Sequence, residues 1–261
     1  MRNHSKMNLK ASQNNPLVSI VTATFNAEKY IQKLFDSIRN QSYQNIEFIV
    51  IDGESSDKTL EIIRKNIDIV DYFISEKDCG ISDAFNKGIK AANGEFILFI
   101  GADDWYCDEA VEILVNNSKP ELEVVCACST VVEPETLRFV KKYHSNPDQL
   151  NKKMSLAHNA CLIRRSAIAE VGWYDTSKKI AMDHHLFLRI LKKFGRKAFF
   201  AIDAPISFYR LGGISHTNEI RGFQEVRDNL IEHGETPLVA TLRYYILILK
   251  STINSFLKNR K

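Results

Sequence analysis

At 261 residues, 44% hydrophobic and 26% charged, the chain has the size and composition of a folded α/β protein with a full core, which excludes intrinsic disorder, a collagen-like repeat and a disulfide miniprotein. Its 35 Lys and Arg against 32 Asp and Glu leave a formal charge of +3, too small a basic excess for a nucleic-acid binder held by phosphate contacts. The five cysteines are odd in number, scattered and without a CxxC pair, so zinc spacing and a disulfide framework are both absent and a reducing, cytoplasmic setting is expected.

Residues 1–15 are polar, lack the apolar stretch of a signal peptide and are expected to form a disordered leader. LVSIVTATF (17–25) reads as a buried strand. Tyr30, Ile31, Leu34, Phe35 and Ile38 then recur at helical spacing, with Asn26 as N-cap. IEFIVI (46–51) is a second strand, followed by the turn-rich DGESSDKT and a helix through Ile62 and Ile63. VDYFI (70–74), a helix over Ser82–Ala92 and EFILFI (95–100) continue the alternation. Continuous apolar strands alternating with helices predict a mostly parallel sheet covered on both faces, and in such sheets ligands bind beyond the carboxyl ends of the strands. Beyond residue 105 the spacing predicts a helix at 108–117, strands near 123–132, 158–164 and 197–202, and a helix over Asp183–Phe194. Residues 133–157 have no clear period and read as a surface excursion or part of an acceptor site.

The loops after the strands hold the polar groups. Asp103 and Asp104 directly follow the strand FILFI and Gly101. Adjacent carboxylates repel and are costly to bury unpaired, so a divalent cation preferring oxygen ligands would relieve them and bring a diphosphate with it. The same pair can cap the helix near Asp108, and the residues alone leave both readings open. Asp52, heading DGESSDKT, stands where an acid can accept hydrogen bonds from a base or ribose, although turn chemistry accounts for it equally. In SEKDCGISDAFNKG (75–88), Asp83 and Asn86 lie one helical turn apart. No GxGxxG and no P-loop lysine motif occurs, which removes the usual support for dinucleotide and ATPase readings.

Four segments in order, VSIVTATFNAEKYI, FIVIDGESSDKTLEII, ISEKDCGISDAFNKGI and GEFILFIGADDWY, resemble the family 2 nucleotide-sugar glycosyltransferases of the GT-A fold, in particular the bacterial branch that builds surface polysaccharides such as O-antigen and capsule. HNACLIRR, VGWYD and AMDHHLFLR resemble the acceptor-side segment of the same family, so the resemblance runs over residues 17–215. It implies a Rossmann-like, mostly parallel central sheet flanked by helices. The glycosyltransferase domain would occupy 16–217, with a nucleotide half at 16–105 and an acceptor half at 106–217, before a helical extension at 218–261.

The resemblance also implies roles. Ala23, Thr24, Phe25, Asn26 and Asp52 would hold the nucleobase, Asp83 would lie near the phosphates or donor sugar, and Asp103 would face the ribose or metal. Asp104 would bind Mn²⁺ or Mg²⁺, and Asp183 would be the catalytic base, which a plain helix cap would also explain. His158, Arg164 and Arg165 are candidates at the acceptor or diphosphate. His216, in the loop Gly212–His216, would reach the diphosphate if that loop closes. Phe25, Ser82 and Phe85 depart from the family's usual Tyr, Tyr and Arg.

The implied reaction is inverting transfer from a nucleotide-sugar, usually a UDP-sugar, to a glycan or polyprenyl-diphosphate-linked acceptor in lipopolysaccharide or capsule synthesis. A non-catalytic nucleotide-sugar-binding subunit is the alternative, and a sugar nucleotidyltransferase is disfavoured because TATFNAEKY contains no glycine. His184 and His185 point about 100° apart on a helix and so are expected to pack rather than chelate one ion. Residues 237–261 are apolar but interrupted by Arg243 and Lys250, which makes spanning a bilayer costly. They read either as an in-plane helix on an anionic cytoplasmic membrane face or as a helix packed on the domain or on a second subunit of a homodimer.

Overall fold

The computed structural model describes residues 15–258, with side chains through Ile253. Apart from Asn15, the expected leader lies outside the described residues, as do 259–261 of the expected tail.

Strand and helix alternate through β1 (Val18–Thr24), α1 (Ile31–Arg39), β2 (Ile46–Asp52), α2 (Thr59–Lys65), β3 (Tyr72–Ser75), α3 (Ile81–Ala91) and β4 (Phe96–Gly101). These strands pair in parallel in the order β3-β2-β1-β4, with Thr24 opposite Asp52 and Ala23 opposite Gly101. Their continuous hydrophobicity follows from burial on both faces. Ile20, Phe48, Val50 and Leu98 pack with Leu34 and Phe35 of α1, while Val21, Ile49, Ile51 and Phe99 pack with Ala84 and Phe85 of α3. Each such side chain contributes about 1.5–3 kcal/mol by leaving water, which fixes the register of the strand ends where the polar loops begin.

Asn26 is not the cap of α1. Its φ is 49°, a left-handed conformation that Asn tolerates, and its Oδ1 accepts from the Ser56 backbone N–H at 2.9 Å. The helix starts five residues after Asn26, at Ile31, without a side-chain cap.

The second half contains β5 (Trp105–Tyr106), α4 (Ala110–Asn116), β6 (Val124–Val132), β7 (Phe139–Tyr143), β8 (Cys161–Arg164), α5 (Arg165–Val171), α6 (Met182–Phe194), β9 (Phe199–Arg210), α7 (Ile214–Thr217), α8 (Glu219–Glu232) and α9 (Pro237–Lys258). The sheet continues from β4 as β8-β6-β9-β5, and β7 pairs with β6. β8 is antiparallel to β4 and β6, whereas β9 is parallel to β6. The aperiodic stretch 133–157 includes β7, which leaves Phe139 and Val140 exposed and therefore shows no alternation. The strand expected at 197–202 runs on through PISFYR as the single strand β9. Its register slips opposite Cys128, where Pro205 sits, as expected for a proline inside a ladder. α9 packs along α8 through the fully buried Ala240 and a Ser251–Glu219 hydrogen bond. Among the described residues no helix is long and apolar enough to cross a membrane.

Candidate active site

β1, β2 and β4 end side by side, so their loops share one rim. On the β2 side Asp52 is fully buried; its carboxylate accepts from the Ser55 N–H (2.9 Å), the Ser55 hydroxyl (2.5 Å) and the Ser75 hydroxyl (2.6 Å). Thr24 is buried and its carbonyl accepts from the Gly53 N–H at 2.9 Å, while Phe25 projects beyond it, 64% exposed. A Cβ on Gly53 would sit 2.7 Å from Asp78 Oδ2 and 3.5 Å from the Phe25 ring, so a side chain there would push the Asp78 carboxylate aside. Ala23 is half-buried and Asp78 partly exposed at this rim.

The acid pair lies at the seam between the two halves of the sheet. Asp104 is buried, with Oδ1 accepting from the Arg210 N–H (3.0 Å) and Oδ2 from the Asn159 amide (2.8 Å). Asn159 is held in turn by the Ser129 hydroxyl (2.6 Å) and the Ser207 hydroxyl (3.2 Å). Burial, and then the neighbouring Asp103 charge, push the Asp104 carboxyl well above the usual carboxylate range. Asp103 is half-buried; burial raises its pKa too, and its carboxylate accepts no hydrogen bond from another residue among those described. It faces the glycine loop, where a Cβ on Gly213 would approach Asp103 Oδ2 to 2.9 Å. The Arg210 guanidinium donates to the Asp103 carbonyl at 3.2 Å and lies over the Tyr30 ring at 4.3 Å.

Neither acid caps a helix, since α4 begins at Ala110. The two Asp104 oxygens hold β9 and Asn159 in place, whereas the Asp103 carboxylate takes no such bond from the described residues. An open, desolvated carboxylate beside a second buried acid is a donor set suited to a hard dication.

The acceptor side is built by α6. Asp183 lies in its first turn, behind the N-cap Ala181, and its Oδ1 accepts from the His184 N–H at 2.7 Å. Desolvation raises its pKa to about 6, the range of a working general base. Glu225 of α8 accepts the N–H groups of Lys179, Ile180 and Ala181, clamping the approach to this turn. Tyr209 of β9 is half-buried; burial raises its hydroxyl pKa, and the charges of Asp104, Asp103 and Asp183 add to that rise. Tyr143 and Tyr174 also feel the Asp183 charge.

Other expected contacts are placed differently. Arg164 and Arg165 lie at the opposite end of the sheet, because β8 runs antiparallel to β4 and sets Arg164 against Phe96, the first residue of that strand. There Arg164 pairs with Glu95 at 2.6 Å, and Arg165 donates to the Gly94 carbonyl at 2.7 Å. His158 stacks on Phe99 and meets the Tyr174 hydroxyl at 2.8 Å; burial lowers its pKa to about 4, so it is a neutral wall residue and not a cationic contact. Asp83 turns back to accept from the Cys79 N–H at 3.0 Å and sits 3.8 Å from Lys87, bracing the loop before α3. His216 is exposed, and it is Gly213 that meets Asp103.

His184 and His185 are buried and bond to the Leu150 carbonyl and Glu232. Cys128, His144 and Asp203 form a separate cluster seven residues before Arg210, about 20 Å away along β9. Sequence reasoning missed Tyr209, Arg210, Asn159 and Glu225, whose roles depend on strand pairing and carry no local motif.

A family model described as glycosyl transferase family 2 matches residues 19–173. An uncharacterized glycosyltransferase of Rickettsia typhi is 31% identical over 201 residues, covering 70% of this chain and 61% of that protein. Matches to glycosyltransferases of Bacillus subtilis and Haemophilus influenzae cover 35% and 42% of those proteins, so the chain spans less than two thirds of these relatives. Among solved structures, Staphylococcus aureus TarS 1–349 with UDP-GlcNAc superposes with a TM-score of 0.65 at 16% identity, covering 89% of this chain and 71% of that one. The mannosyltransferase PcManGT of Pyrobaculum calidifontis with GDP-Man and Mn²⁺ gives 0.63 at 19% identity, covering 88% and 68%.

Proposed function

The chain belongs to glycosyl transferase family 2 and has the GT-A fold, and from that premise we propose that it transfers a sugar with inversion from a UDP-sugar to a hydroxyl of a glycan or lipid-diphosphate acceptor in bacterial surface-polysaccharide synthesis. The observation that carries the reading is the placement of Asp52 at the end of β2 and of Asp103 and Asp104 just after β4 on one rim of a family 2 domain, with Asp104 held by Arg210 of β9 and by Asn159.

In this reading Phe25 and Ala23 receive the base, with Gly53 and the Asp52 turn shaping the rim behind it. Asp103 holds a divalent cation, Mn²⁺ or Mg²⁺, with Asp104 fixing its loop. When bound, such an ion supplies positive charge to the departing diphosphate. Asp183 takes the proton of the acceptor hydroxyl as that oxygen attacks the anomeric carbon; the carbon–oxygen bond to the nucleoside diphosphate breaks on the opposite face, inverting the centre. Tyr209 stays protonated near neutral pH. Structural neighbours solved with UDP-GlcNAc and with GDP-Man and Mn²⁺ support a metal and a nucleotide-sugar at this rim.

The test is nucleotide release from a panel of nucleotide-sugars with Mn²⁺ or Mg²⁺, with and without membrane lipid extract. Metal-dependent release from a UDP-sugar, stimulated by the extract, is the expected result. Binding of nucleotide-sugar without turnover of any donor favours the non-catalytic subunit instead.

A further inference from the structure

The two faces of α9 have opposite surroundings. Inward, Ala240 is fully buried, the Tyr244 ring meets Arg227 of α8, and Arg243 pairs with Glu235. Outward, Leu238, Leu242, Tyr245, Ile246, Leu249 and Ile253 are 81%, 59%, 62%, 43%, 61% and 49% exposed. At 3.6 residues per turn these six fall within an arc of about 100° and form an unbroken apolar stripe roughly four turns long. Isolated exposed apolar residues are ordinary on a soluble protein, but a contiguous stripe marks a contact surface.

Charge identifies the partner. From Pro237 to Lys261 the sequence has five Lys and Arg and no Asp or Glu. Lys250 lies about 40° beyond the Ile246 edge of the stripe, where a long cationic side chain can reach lipid phosphates while the stripe enters the acyl boundary. We propose that the outward face of α9 seats this protein in the plane of an anionic lipid bilayer. A second copy on the same stripe would bring two acid-free, cation-bearing helices together, and like charges oppose that pairing. The anionic surface attracts both the stripe and its flanking cations. This inference rests on α9 and not on the transfer reaction, so either can fail without the other.

Co-sedimentation of the full chain with vesicles tests it, using phosphatidylcholine alone and phosphatidylcholine with phosphatidylglycerol. The chain is expected to pellet with the anionic vesicles, and added salt should weaken binding. The paired substitution Leu242→Glu and Leu249→Glu should reduce binding by about ten-fold or more, with Lys250→Glu reducing it less and flattening the salt response. Thermal melts followed by circular dichroism check folding; should the pair melt early, Leu249→Ser repeats the test with a smaller change. Equal pelleting with neutral and anionic vesicles, or binding unaffected by the stripe substitutions, overturns the proposal. So does a wild-type dimer, by light scattering, that the paired substitution makes monomeric without any vesicle binding. Nucleotide release from a soluble donor should be the same for all these variants.

Discussion

The first half of the sheet, β1 to β4, and the second half, β5 to β9, assemble their polar groups by different routes. In the first half, β1, β2 and β4 run parallel, so Thr24, Asp52 and the Gly101 turn reach one rim simply by ending their strands. In the second half the strands run both ways, and the polar groups are tied by contacts such as Arg210 to Asp104 across 106 residues and Asn159 to Asp104 across 55. A parallel sheet therefore sets its polar residues by topology, whereas a mixed sheet sets them by packing. The two halves should fail differently when mutated.

The largest effect is expected on the acceptor side. Asp183→Asn should lower kcat by about 10²–10⁴-fold while nucleotide binding, measured by calorimetry, stays near the wild-type value. Retained turnover would remove Asp183 from the reaction. The same group sets a pH dependence. Asp183 works only when ionised, and with its pKa raised to about 6, kcat should fall as pH drops through that value. Its effect on stability has the opposite sign: the folded state holds this proton more tightly than the unfolded chain, so the contribution is fully present below the ordinary carboxylate pKa and is lost as pH rises through about 6.

On the seam, the two adjacent acids should separate into a ligand and an anchor. Asp103→Asn should abolish the response of donor binding to added Mn²⁺ without lowering the melting temperature, because no other described residue donates to its carboxylate. Asp104→Ala strands the Arg210 N–H and the Asn159 amide, and should destabilise the fold by about 1–3 kcal/mol in urea unfolding. If Asp103→Asn keeps full metal dependence, the ligand is Asp104 after all. Next in size, Tyr209→Phe removes a phenol that feels the charges of all three acids and should cost about ten-fold in transfer with little loss of stability. An unchanged rate would mean that the phenol only fills space.

The same contrast explains what the sequence reveals. Strands buried on both faces are written as unbroken apolar runs, so β1, β2 and β4 and the loops after them can be read residue by residue. Asp183 is legible through its resemblance to the family's acceptor segment, since an acid at a helix start is otherwise commonplace. Tyr209, Arg210 and Asn159 carry no signal, because their positions follow from β9 pairing beside β6 and from the direction of β8. Asp104 shows the limit of a motif: a pair of acids marks the place, but which of the two is open depends on Arg210 and Asn159, both distant in sequence.

The smallest effect tests the strand direction itself. Arg164 and Arg165 are conspicuous cations and were expected at the diphosphate, yet β8 carries them to the far rim, where Arg164 joins Glu95 and approaches Glu123 at 3.7 Å. Glu95 is partly solvated, so solvent screens much of the pair, and Arg164→Ala should lower stability by only about 1 kcal/mol. Neither the donor KM nor the Mn²⁺ response should change. A several-fold rise in donor KM for Arg164→Ala with an unaltered melting temperature would place the guanidinium at the nucleotide. That requires β8 to run parallel to β4, and then the pairing of Phe96 with Arg164, the route by which Asn159 reaches Asp104 and the seam between the two halves would all have to be redrawn.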